Sequence, residues 1–347
     1  MTTLITGMSG FVGTHLARWL KDQDEKVVPL ALDGKRVDLR EAEQVEQAVA
    51  EIKPDRVYHL AAQSSVKKSW VDRELTFAVN LEGTLNLLNA LIHHAPKTRL
   101  LLISTGAVYG GSSAKEAKEF FRKGLPPEEA ERFIAFAEIG RPVKETDLTC
   151  PLNPYAKSKM QAEAAGYSAY LQSGLDARIV RPLGHTGPGQ RLGFVVPDLA
   201  SQVAAIATHE FPPIVRVGRL DISREFADVR DVVRAYHLIM ENGEPGEVYN
   251  LATNEPHPIE EVAVTLLELA GLRAQIVQEN DRPHNFWPEE NSPKLDTQKI
   301  EQLGFHFQVP FTQTLSDVLR EWIERIRDGQ ATVHRSLEGP GPAGQTH

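Results

Sequence analysis

The chain has 347 residues, of which 41% are hydrophobic and 24% charged, which is typical of a globular protein that can bury a sizeable core. A formal net charge of −9, with no block of lysines and arginines, argues against nucleic acid as the main partner. The single cysteine, Cys150, excludes an intrachain disulfide, and the N-terminal MTTLITG lacks the basic start of a secretory signal. No apolar run reaches transmembrane length, so we expect a cytoplasmic protein with no membrane partner.

Short apolar runs alternate with longer amphipathic stretches through the first half of the chain. The runs, each predicted to be a buried parallel strand, are Leu4–Ile5, Lys26–Leu32, Arg56–Leu60, Arg99–Ser104 and Ala177–Val180. The stretches between them are typical of crossover helices, and the first carries an apolar stripe of Val12, Leu16 and Leu20. The pattern predicts an α/β fold with a Rossmann-type, doubly wound parallel sheet, which binds ligands at the carboxyl ends of its strands.

A glycine-rich turn, TGMSGFVG, follows the first strand and opens the first helix. Glycines here permit a tight turn, close approach of the backbone to a pyrophosphate, and close packing of helix on strand. The helix N-terminus supplies N–H donors and a positive dipole to the phosphates. This strand–turn–helix context predicts that a dinucleotide binds to Gly7, Gly10, Phe11, Val12 and Gly13.

The second strand carries the residues that would select between NAD and NADP. Asp33 lies 20 residues after Gly13, the spacing at which an acid hydrogen-bonds the ribose 2′-OH of NAD. Lys35 and Arg36 follow at once and suit the 2′-phosphate of NADP, while a solvated loop is the third interpretation of this segment. The cofactor is therefore predicted to be NAD or NADP, with a slight preference for NAD.

A charged, helix-forming stretch over 111–141 is broken once by GLPP, which predicts an inserted helical hairpin. It is either a lid over the substrate or a packed or oligomer-forming decoration. The rhythm of strands and helices then breaks near Pro182. We predict that 1–181 mainly form the NAD(P)-binding domain. A smaller C-terminal α/β substrate-binding domain would mainly occupy 182–328, with some segments returning to the main sheet, and 329–347 would form a disordered tail.

Tyr155 and Lys159 are four residues apart, just after the helix-start signal Asn153-Pro154. Positions i and i+4 share one helix face, so the phenol and the ammonium would point into one site. A nearby lysine and a helix N-terminus both stabilise a phenolate, which lets a tyrosine transfer protons near neutral pH. The same spacing also occurs on ordinary amphipathic helices, so its functional interpretation depends on the rest of the chain.

Taken in order, many segments resemble the extended short-chain dehydrogenase/reductase family that modifies nucleotide sugars. The likeness runs from Thr3 to about Arg325, apart from 111–141, through TGMSGFVG, VDL, HLAAQSS, STGAVYG, NPYAKSK, GPGQ, REFADVR and VYN. The stretches HLAAQSSVKKSW, GPGQRLGF and REFADVRD are most similar to the branch of GDP-mannose 4,6-dehydratases and GDP-4-keto-6-deoxymannose reductases. The resemblance implies an NAD(P)-dependent enzyme that acts on a nucleotide sugar, most often GDP-linked, and forms a homodimer.

The resemblance also implies a role for each matching residue. Tyr155 would be the acid/base, Lys159 would bind the nicotinamide ribose and lower the pKa of the tyrosine, and Thr105 would hydrogen-bond the reacting oxygen. Asn80 would support the lysine. The further cofactor contacts would be Asp38, Leu39, Leu60, Ala61 and Ala62. The substrate contacts, besides Thr105 and Tyr155, would be Ser64, Gly184, Arg191, Arg224 and Arg282, the last two on the diphosphate. The histidines lack metal-ligand spacing, so no metal site is expected.

Three positions, at two places in the chain, depart from the pattern of the family. Gly106 and Ala107 stand where dehydratases carry an acid pair, and neither side chain can accept a proton. Reduction of a GDP-4-keto-6-deoxy-hexose needs only a hydride and a proton from Tyr155, so a reductase is the favoured function. A nucleotide-sugar 4-epimerase comes second, a 4,6-dehydratase third, and a non-catalytic dinucleotide sensor is the alternative from another class. Gly184 replaces a substrate-contacting asparagine. The neighbouring His185 is either a substitute for it or, as we favour, a packed or solvent-facing histidine.

Overall fold

The computed structural model describes residues 1–110, 128, 141–220, 222–279 and 293–330. Apart from Glu128 and Arg141, the predicted hairpin lies outside the described residues. So do Arg282 and almost all of the predicted tail.

The described residues form strands and α-helices that we number in chain order. The strands are β1 Thr2–Thr6, β2 Lys26–Pro29, β3 Ala31–Leu32, β4 Lys35–Arg36, β5 Arg56–His59, β6 Arg99–Ile103, β7 Asp176–Pro182, β8 His185–Thr186, β9 Ile214–Val217, β10 Ser223–Arg224, β11 Ala227–Asp228, β12 Val248–Leu251, β13 His257–Pro258 and β14 Gln275–Gln278. The helices are α1 Phe11–Lys21, α2 Ala42–Ile52, α3 Val66–Val71, α4 Arg73–Phe77, α5 Gly83–His94, α6 Pro154–Ser173, α7 Val195–Ala207, α8 Val229–Asn242, α9 Ile259–Leu269, α10 Gln298–Gln302 and α11 Phe311–Arg327.

Six of the strands form one parallel sheet in the order β12-β7-β6-β5-β1-β2. The chain builds outward from β1 in both directions, with β2 on one side and β5 on the other. In such sheets ligands bind outside the carboxyl ends of the strands, where the order reverses. The predicted Rossmann-type fold is confirmed, and one edge strand, β12, comes from the second half of the chain.

Helices cover both faces of this sheet because successive strand residues point to opposite sides. On one face Ile5, Tyr58 and Leu101 pack in a cluster with residues of α1 and α8. On the other face their neighbours in sequence, Leu4, Val57 and Leu100, pack with α2 and α5. The apolar runs of β1, β5 and β6 are therefore buried on both sides, as expected for a parallel sheet, whereas the edge strand β2 is exposed or half-buried along its length.

A continuous helix, Arg73–His94, joins α4 and α5 through a π-helical turn at Ala78–Glu82. One 18-residue window of this 22-residue helix has a mean hydropathy of 1.2, so by length and composition alone the helix could cross a membrane. Its side chains Leu87 and Leu91 are fully buried in the core cluster with α2. The apolar composition of this helix is therefore accounted for by core packing.

Contacts divide the chain into two compact units. Unit 1 holds the described residues of Met1–His185, Glu225–Glu255 and Glu290–Gln308, and unit 2 those of Thr186–Arg224, Pro256–Glu289 and Val309–His347. Unit 1 contains the six-stranded sheet, and its first segment ends close to the predicted change at Pro182. In unit 2, helices α7, α9 and α11 pack together, and β9 pairs in parallel with β14. The roles assigned to the two predicted domains remain predictions.

Candidate functional site

The glycine turn is shaped so closely that two of its glycines admit no side chain. Gly7 has a φ of 72°, and a Cβ there would lie 2.8 Å from the backbone N of Ala61. A Cβ on Gly13 would lie 2.3 Å from the carbonyl oxygen of Gly7. Helix α1 begins directly after Gly10 with no side-chain cap and no acid in its first turn. The exposed N–H groups and dipole of this helix start therefore suit the diphosphate of a dinucleotide.

The predicted stretch Leu60–Ala62 lies against this turn at the end of β5. The Ala61 N–H donates to the Thr6 hydroxyl at 3.2 Å, and the Leu60 N–H donates to the Thr6 carbonyl at 3.2 Å. All three residues of the stretch are half-buried. The structure thus brings together the two segments that were predicted to bind the cofactor.

His59 is held in one tautomer by a chain of buried hydrogen bonds. The Thr84 hydroxyl donates to the Asn80 carbonyl at 2.7 Å, so it accepts the 2.9 Å bond from His59 Nε2–H. Nδ1 of His59 then accepts from the Thr6 hydroxyl at 2.8 Å. Burial, assisted by the positive charge of Lys159, lowers the pKa of His59 to about 3. The neutral imidazole of His59 therefore links β5 to β1 and α5 through hydrogen bonds.

Helix α6 begins where the sequence predicts. The Asn153 side chain accepts from the Ala156 N–H at 2.8 Å, and Pro154 occupies the first helical position. Tyr155 is half-buried in the first turn, and Lys159 follows one turn later with only 2% of its surface exposed. The two side chains lie on one helix face that is turned into the protein.

Burial disfavours the charged forms of Tyr155 and Lys159, so it shifts the pKa of each group. It raises the pKa of Tyr155 to about 12, opposed by a hydrogen bond with the Thr105 side chain. It lowers the pKa of Lys159 to about 8, opposed by the negative charge of Glu163. The predicted lowering of the tyrosine pKa is therefore wrong for this structure, because the desolvation of the phenol outweighs the favourable contacts. At neutral pH Tyr155 is a neutral phenol, and most of Lys159 carries its proton.

Thr105 directly follows β6 and is 9% exposed. It caps the 3₁₀ helix Gly106–Tyr109 by accepting from the Ala107 N–H at 3.2 Å. Its side chain is close enough to Tyr155 to lower the pKa of that phenol, so the end of β6 lies beside the start of α6. The predicted trio of Thr105, Tyr155 and Lys159 is thus gathered at the carboxyl end of the sheet.

Asn80, in the π-helical turn, connects the loop after β5 to α6. Its side chain accepts from the Gln63 N–H at 2.8 Å and donates to the Ser158 hydroxyl at 2.9 Å. The Ser158 hydroxyl in turn donates to the Tyr155 carbonyl at 2.8 Å. Asn80 therefore fixes the turn of α6 that carries both Tyr155 and Lys159, rather than the lysine side chain itself.

A buried ion pair lies beneath the trio. The Arg181 guanidinium donates two bonds of 3.1 Å and one of 2.7 Å to the Glu163 carboxylate, which also accepts from the Ser104 hydroxyl. Arg181 donates further to the Tyr109 hydroxyl at 2.7 Å and to the Glu145 carbonyl at 3.1 Å. The pair joins α6, β6 and β7 to the segment that follows the predicted insertion.

The two departures from the family pattern have structural causes. A Cβ on Gly106 would lie 2.5 Å from Leu183 Cδ2 and 3.2 Å from Leu295 Cδ1, so apolar side chains fill that position. A Cβ on Gly184 would lie 2.2 Å from the Glu225 carbonyl oxygen, which leaves no room for an asparagine side chain. Only the backbone of Gly184 could contact a substrate. His185 lies against the glycine turn, with its ring 6.3 Å from that of Phe11 and nearly parallel to it.

The residues predicted to select between NAD and NADP lie on a small hairpin, and two further predicted cofactor contacts follow it. Asp33, with a φ of 50°, and Gly34, with a φ of 73°, form the exposed turn between β3 and β4. The Arg36 guanidinium approaches the Ser9 hydroxyl of the glycine turn at 3.5 Å. Further on, Asp38 pairs with Arg40 at 2.6 Å, and Leu39 is buried in the core.

The predicted substrate residues are divided between the two units. Ser64 is exposed on a loop of unit 1, where Thr105, Tyr155 and Gly184 also lie. Arg191 and Arg224 belong to unit 2, where Arg224 pairs with His257 across β10 and β13. Among the described residues no three His, Cys, Asp or Glu side chains cluster as metal ligands would.

The sequence reasoning missed two residues of this site. Glu163 stands four residues after Lys159, so the same i, i+4 rule that joined Tyr155 to Lys159 could have identified it. Tyr236, whose pKa is raised by burial and by the neighbouring Tyr155, gave no signal in the sequence, because its place depends on how α8 packs under the sheet.

Comparisons with known proteins agree with this geometry. Residues 3–252 match the model of the NAD dependent epimerase/dehydratase family. The chain is 32% identical to GDP-6-deoxy-D-mannose reductase of Pseudomonas aeruginosa over 93% of this chain and 98% of that protein. The structure of RMD from Pseudomonas aeruginosa complexed with NADPH is similar with a TM-score of 0.79 and 31% identity, over 93% and 99% of the two chains. UDP-glucose 4-epimerase of Thermus thermophilus, in complex with NAD, is similar with a TM-score of 0.74 and 29% identity, over 93% and 99%.

Proposed function

We propose, because the chain belongs to the NAD dependent epimerase/dehydratase family, that it reduces the keto group of a GDP-linked 4-keto-6-deoxy-hexose with NADPH. The chain is an NAD(P)-dependent enzyme that modifies nucleotide sugars. The finer proposal of a reductase rests on the surroundings of Gly106, and it is supported by the resemblance to a GDP-6-deoxy-D-mannose reductase.

The absence of a carboxylate at positions 106 and 107, directly after Thr105, is the observation that carries the proposal. Elimination of water from the sugar needs a base to remove a carbon-bound proton. Gly106 is enclosed by Leu183 and Leu295, and Ala107 offers only a methyl group. Reduction of a ketone makes no such demand, because the carbonyl carbon takes a hydride and the oxygen takes a proton.

The protonation state of Tyr155 also suits reduction. The reduced nicotinamide supplies the hydride when it is bound. With a pKa of about 12, the Tyr155 phenol holds a proton that it can donate to the carbonyl oxygen of the sugar as the hydride arrives. Thr105 would hydrogen-bond the same oxygen, and the Lys159 ammonium would stabilise the phenolate that remains. An epimerase must first remove a proton from a sugar hydroxyl, and burial, which raises the pKa of Tyr155, disfavours the phenolate that would accept this proton.

We propose NADPH rather than NADH because of Arg36. Its guanidinium lies near Ser9 of the glycine turn, where it would be available to a 2′-phosphate. Asp33 lies in the exposed turn between β3 and β4, whereas Arg36 contacts the glycine turn, so we favour a 2′-phosphate over a 2′-hydroxyl as the ligand of this segment. Arg36→Ala is expected to raise the KM for NADPH about tenfold or more and to change that for NADH little. Lys35→Ala is the neighbouring control, with a smaller effect.

The reaction is tested with GDP-, UDP-, dTDP- and CDP-linked 4-keto-6-deoxy-hexoses and the parent hexoses. We expect oxidation of one NADPH for each GDP-4-keto sugar that is reduced, followed by the loss of absorbance of the reduced nicotinamide and by product mass. Product without net cofactor consumption would contradict the proposal. An unchanged mass would then indicate an epimerase, and loss of water a dehydratase.

We propose further that the chain forms a homodimer through α5 and α6, as the resemblance implies. These helices pack together and leave Leu85, Tyr167 and Leu171 with 40%, 47% and 62% of their surface exposed. Light scattering of the wild type and of Leu171→Glu tests this pairing, and a monomeric wild type would contradict it.

A further inference from the structure

Tyr236 of α8 carries a buried hydroxyl that the described part of the chain does not satisfy. Its side chain is fully buried, and its hydroxyl has no hydrogen-bond partner among the residues that the structure describes. A phenylalanine would fill the same space without the free-energy cost of an unpaired polar group. A ligand that forms the missing hydrogen bond would explain why a native protein keeps this buried hydroxyl.

The surroundings of Tyr236 are those of the proposed cofactor site. The ring belongs to the core cluster against which Met8 and Val12 of the glycine turn pack. Leu60, at the end of β5, and Ile103, two residues before Thr105, pack on the same cluster. These residues lie at or just after the carboxyl ends of β1, β5 and β6, where a dinucleotide would bind.

The place of Ile103 in this cluster defines which end of the dinucleotide is concerned. Ile103 ends β6 two residues before Thr105, which lies beside Tyr155. The Tyr155 phenol also contributes to raising the pKa of Tyr236. Tyr155 is the proposed proton donor, and the nicotinamide ring must lie beside it for hydride and proton to reach one carbonyl group.

We propose that the Tyr236 hydroxyl forms a hydrogen bond with the nicotinamide end of the bound dinucleotide, through an amide group such as the ring carboxamide. A phenol can both donate and accept, and a carboxamide offers both partners. Tyr236 is thus a cofactor-binding residue that positions the nicotinamide ring relative to Tyr155. This inference rests on the proposed function, since it requires a nicotinamide cofactor.

Tyr58 provides a matched control in the same cluster. It is also fully buried, but its hydroxyl lies 3.4 Å from Nδ1 of His237, with which it can hydrogen-bond. Tyr236→Phe and Tyr58→Phe each remove one buried hydroxyl and leave the ring in place. The first removes an unpartnered group and the second a partnered one.

The experiment measures the unfolding temperature of each variant and its affinity for NADPH and for 2′-phospho-ADP-ribose, which lacks the nicotinamide ring. For Tyr236→Phe we expect an unfolding temperature no lower than that of the wild type without cofactor. We expect its Kd for NADPH to rise about five- to tenfold, as for the loss of one hydrogen bond, with an unchanged Kd for the fragment. For Tyr58→Phe we expect a lower unfolding temperature and unchanged Kd values.

Three results would overturn the inference: an unchanged affinity of Tyr236→Phe for NADPH, an equal loss for NADPH and the fragment, or a loss of stability without cofactor. The last would mean that the hydroxyl already has a partner in the free protein. A wild type that binds neither NADPH nor NADH would instead remove the proposed function, and the inference with it. Binding by the wild type without turnover of a keto sugar would remove the proposed reaction alone and leave the role of Tyr236 standing.

Discussion

The two ends of the six-stranded sheet in unit 1 differ in whether their polar side chains have partners. At the amino ends of the strands, charged side chains satisfy one another. At the carboxyl ends, Lys159, the Tyr236 hydroxyl and the uncapped start of α1 have no close partner among the described residues and can still bind a ligand. The difference separates the end of the sheet that stabilises the fold from the end that is prepared for a ligand.

At the amino end, carboxylates lie between and beside two neighbouring arginines. Arg56 and Arg99 are direct register partners on β5 and β6, a like-charge pair that would repel. Glu241 of α8 lies 2.7 Å from Arg56 and 4.0 Å from Arg99, and Glu25 lies 3.2 Å from Arg56. The carboxylates thus offset the repulsion of the two arginines. Arg99 also pairs at 3.5 Å with Asp176, its register partner on β7.

The carboxyl end lacks this mutual satisfaction. Lys159 is 2% exposed and has no ion pair within 4 Å among the described residues. The nearest compensation is the charge of Glu163, which is committed to Arg181. Desolvated groups without a close partner shift their pKa values towards the neutral form, and such shifts cluster at functional sites.

The largest effect that separates the two ends is expected on catalysis. Tyr155→Phe removes the proton donor and is expected to lower kcat about 10²- to 10⁴-fold while the Kd for cofactor stays within about twofold. Tyr167→Phe, on the exposed side of the same helix, is the control and should change neither. Stopped-flow absorbance of the reduced nicotinamide measures the rate. A Tyr155→Phe variant with wild-type kcat would remove the assignment.

The second prediction compares two glutamates that each bridge positive groups. Glu163→Gln leaves the buried Arg181 charge uncompensated and is expected to lower the free energy of unfolding by about 3–5 kcal/mol. Glu241→Gln, whose side chain is 30% exposed, is expected to cost about 1 kcal/mol or less. Urea unfolding of both variants measures the difference. Equal losses would contradict the contrast between the two ends.

Lys159 is expected to destabilise the fold in a pH-dependent way. The unfolded chain keeps the lysine proton up to its ordinary pKa of 10.5, whereas the folded chain releases it near 8. Between these values the unfolded state binds more protons, so stability rises with pH, and the full cost is present below pH 8. Lys159→Met is therefore expected to stabilise the protein by about 2–3 kcal/mol at pH 7, and its advantage should vanish above pH 10.5.

The measurement for Lys159 is urea unfolding at a series of pH values. Arg56→Met at the amino end is the comparison, since it removes a paired charge and should destabilise at every pH in the series. A Lys159→Met variant that is less stable than the wild type at pH 7 would show that the ammonium is better satisfied than its surroundings indicate.

The smallest predicted effect is the pH dependence of the reaction. If the Lys159 charge stabilises the phenolate, kcat/KM should fall as pH rises through about 8, by about tenfold between pH 7 and 9. Far-ultraviolet circular dichroism over the same range should not change, because the arginines at the amino end keep their charge. A rate that is constant up to pH 10 would exclude this role.

Much of the fold and part of the site follow from local sequence patterns. The glycine turn, the start of α6 at Asn153 and four of the five apolar runs depend on neighbouring residues and lie where they were predicted. The predicted strand Lys26–Leu32 is instead divided between β2, in the main sheet, and β3, which pairs with β4. The spacing of Tyr155 and Lys159 places both on one helix face, because helical periodicity is a local property. The pKa of Tyr155 was predicted in the wrong direction, since the sequence does not reveal how deeply a phenol is buried.

What the sequence by itself determined is the class of fold, the position of the glycine turn and the placement of Tyr155 and Lys159 on one helix face. The tertiary structure alone decided which groups are satisfied: the ion pair of Glu163 with Arg181, the apolar side chains around Gly106, and the Tyr236 hydroxyl, which has no partner among the described residues. The physical reason is range. Periodicity and turn chemistry act between residues a few positions apart, whereas burial and pairing arise between residues that only the folded chain brings together.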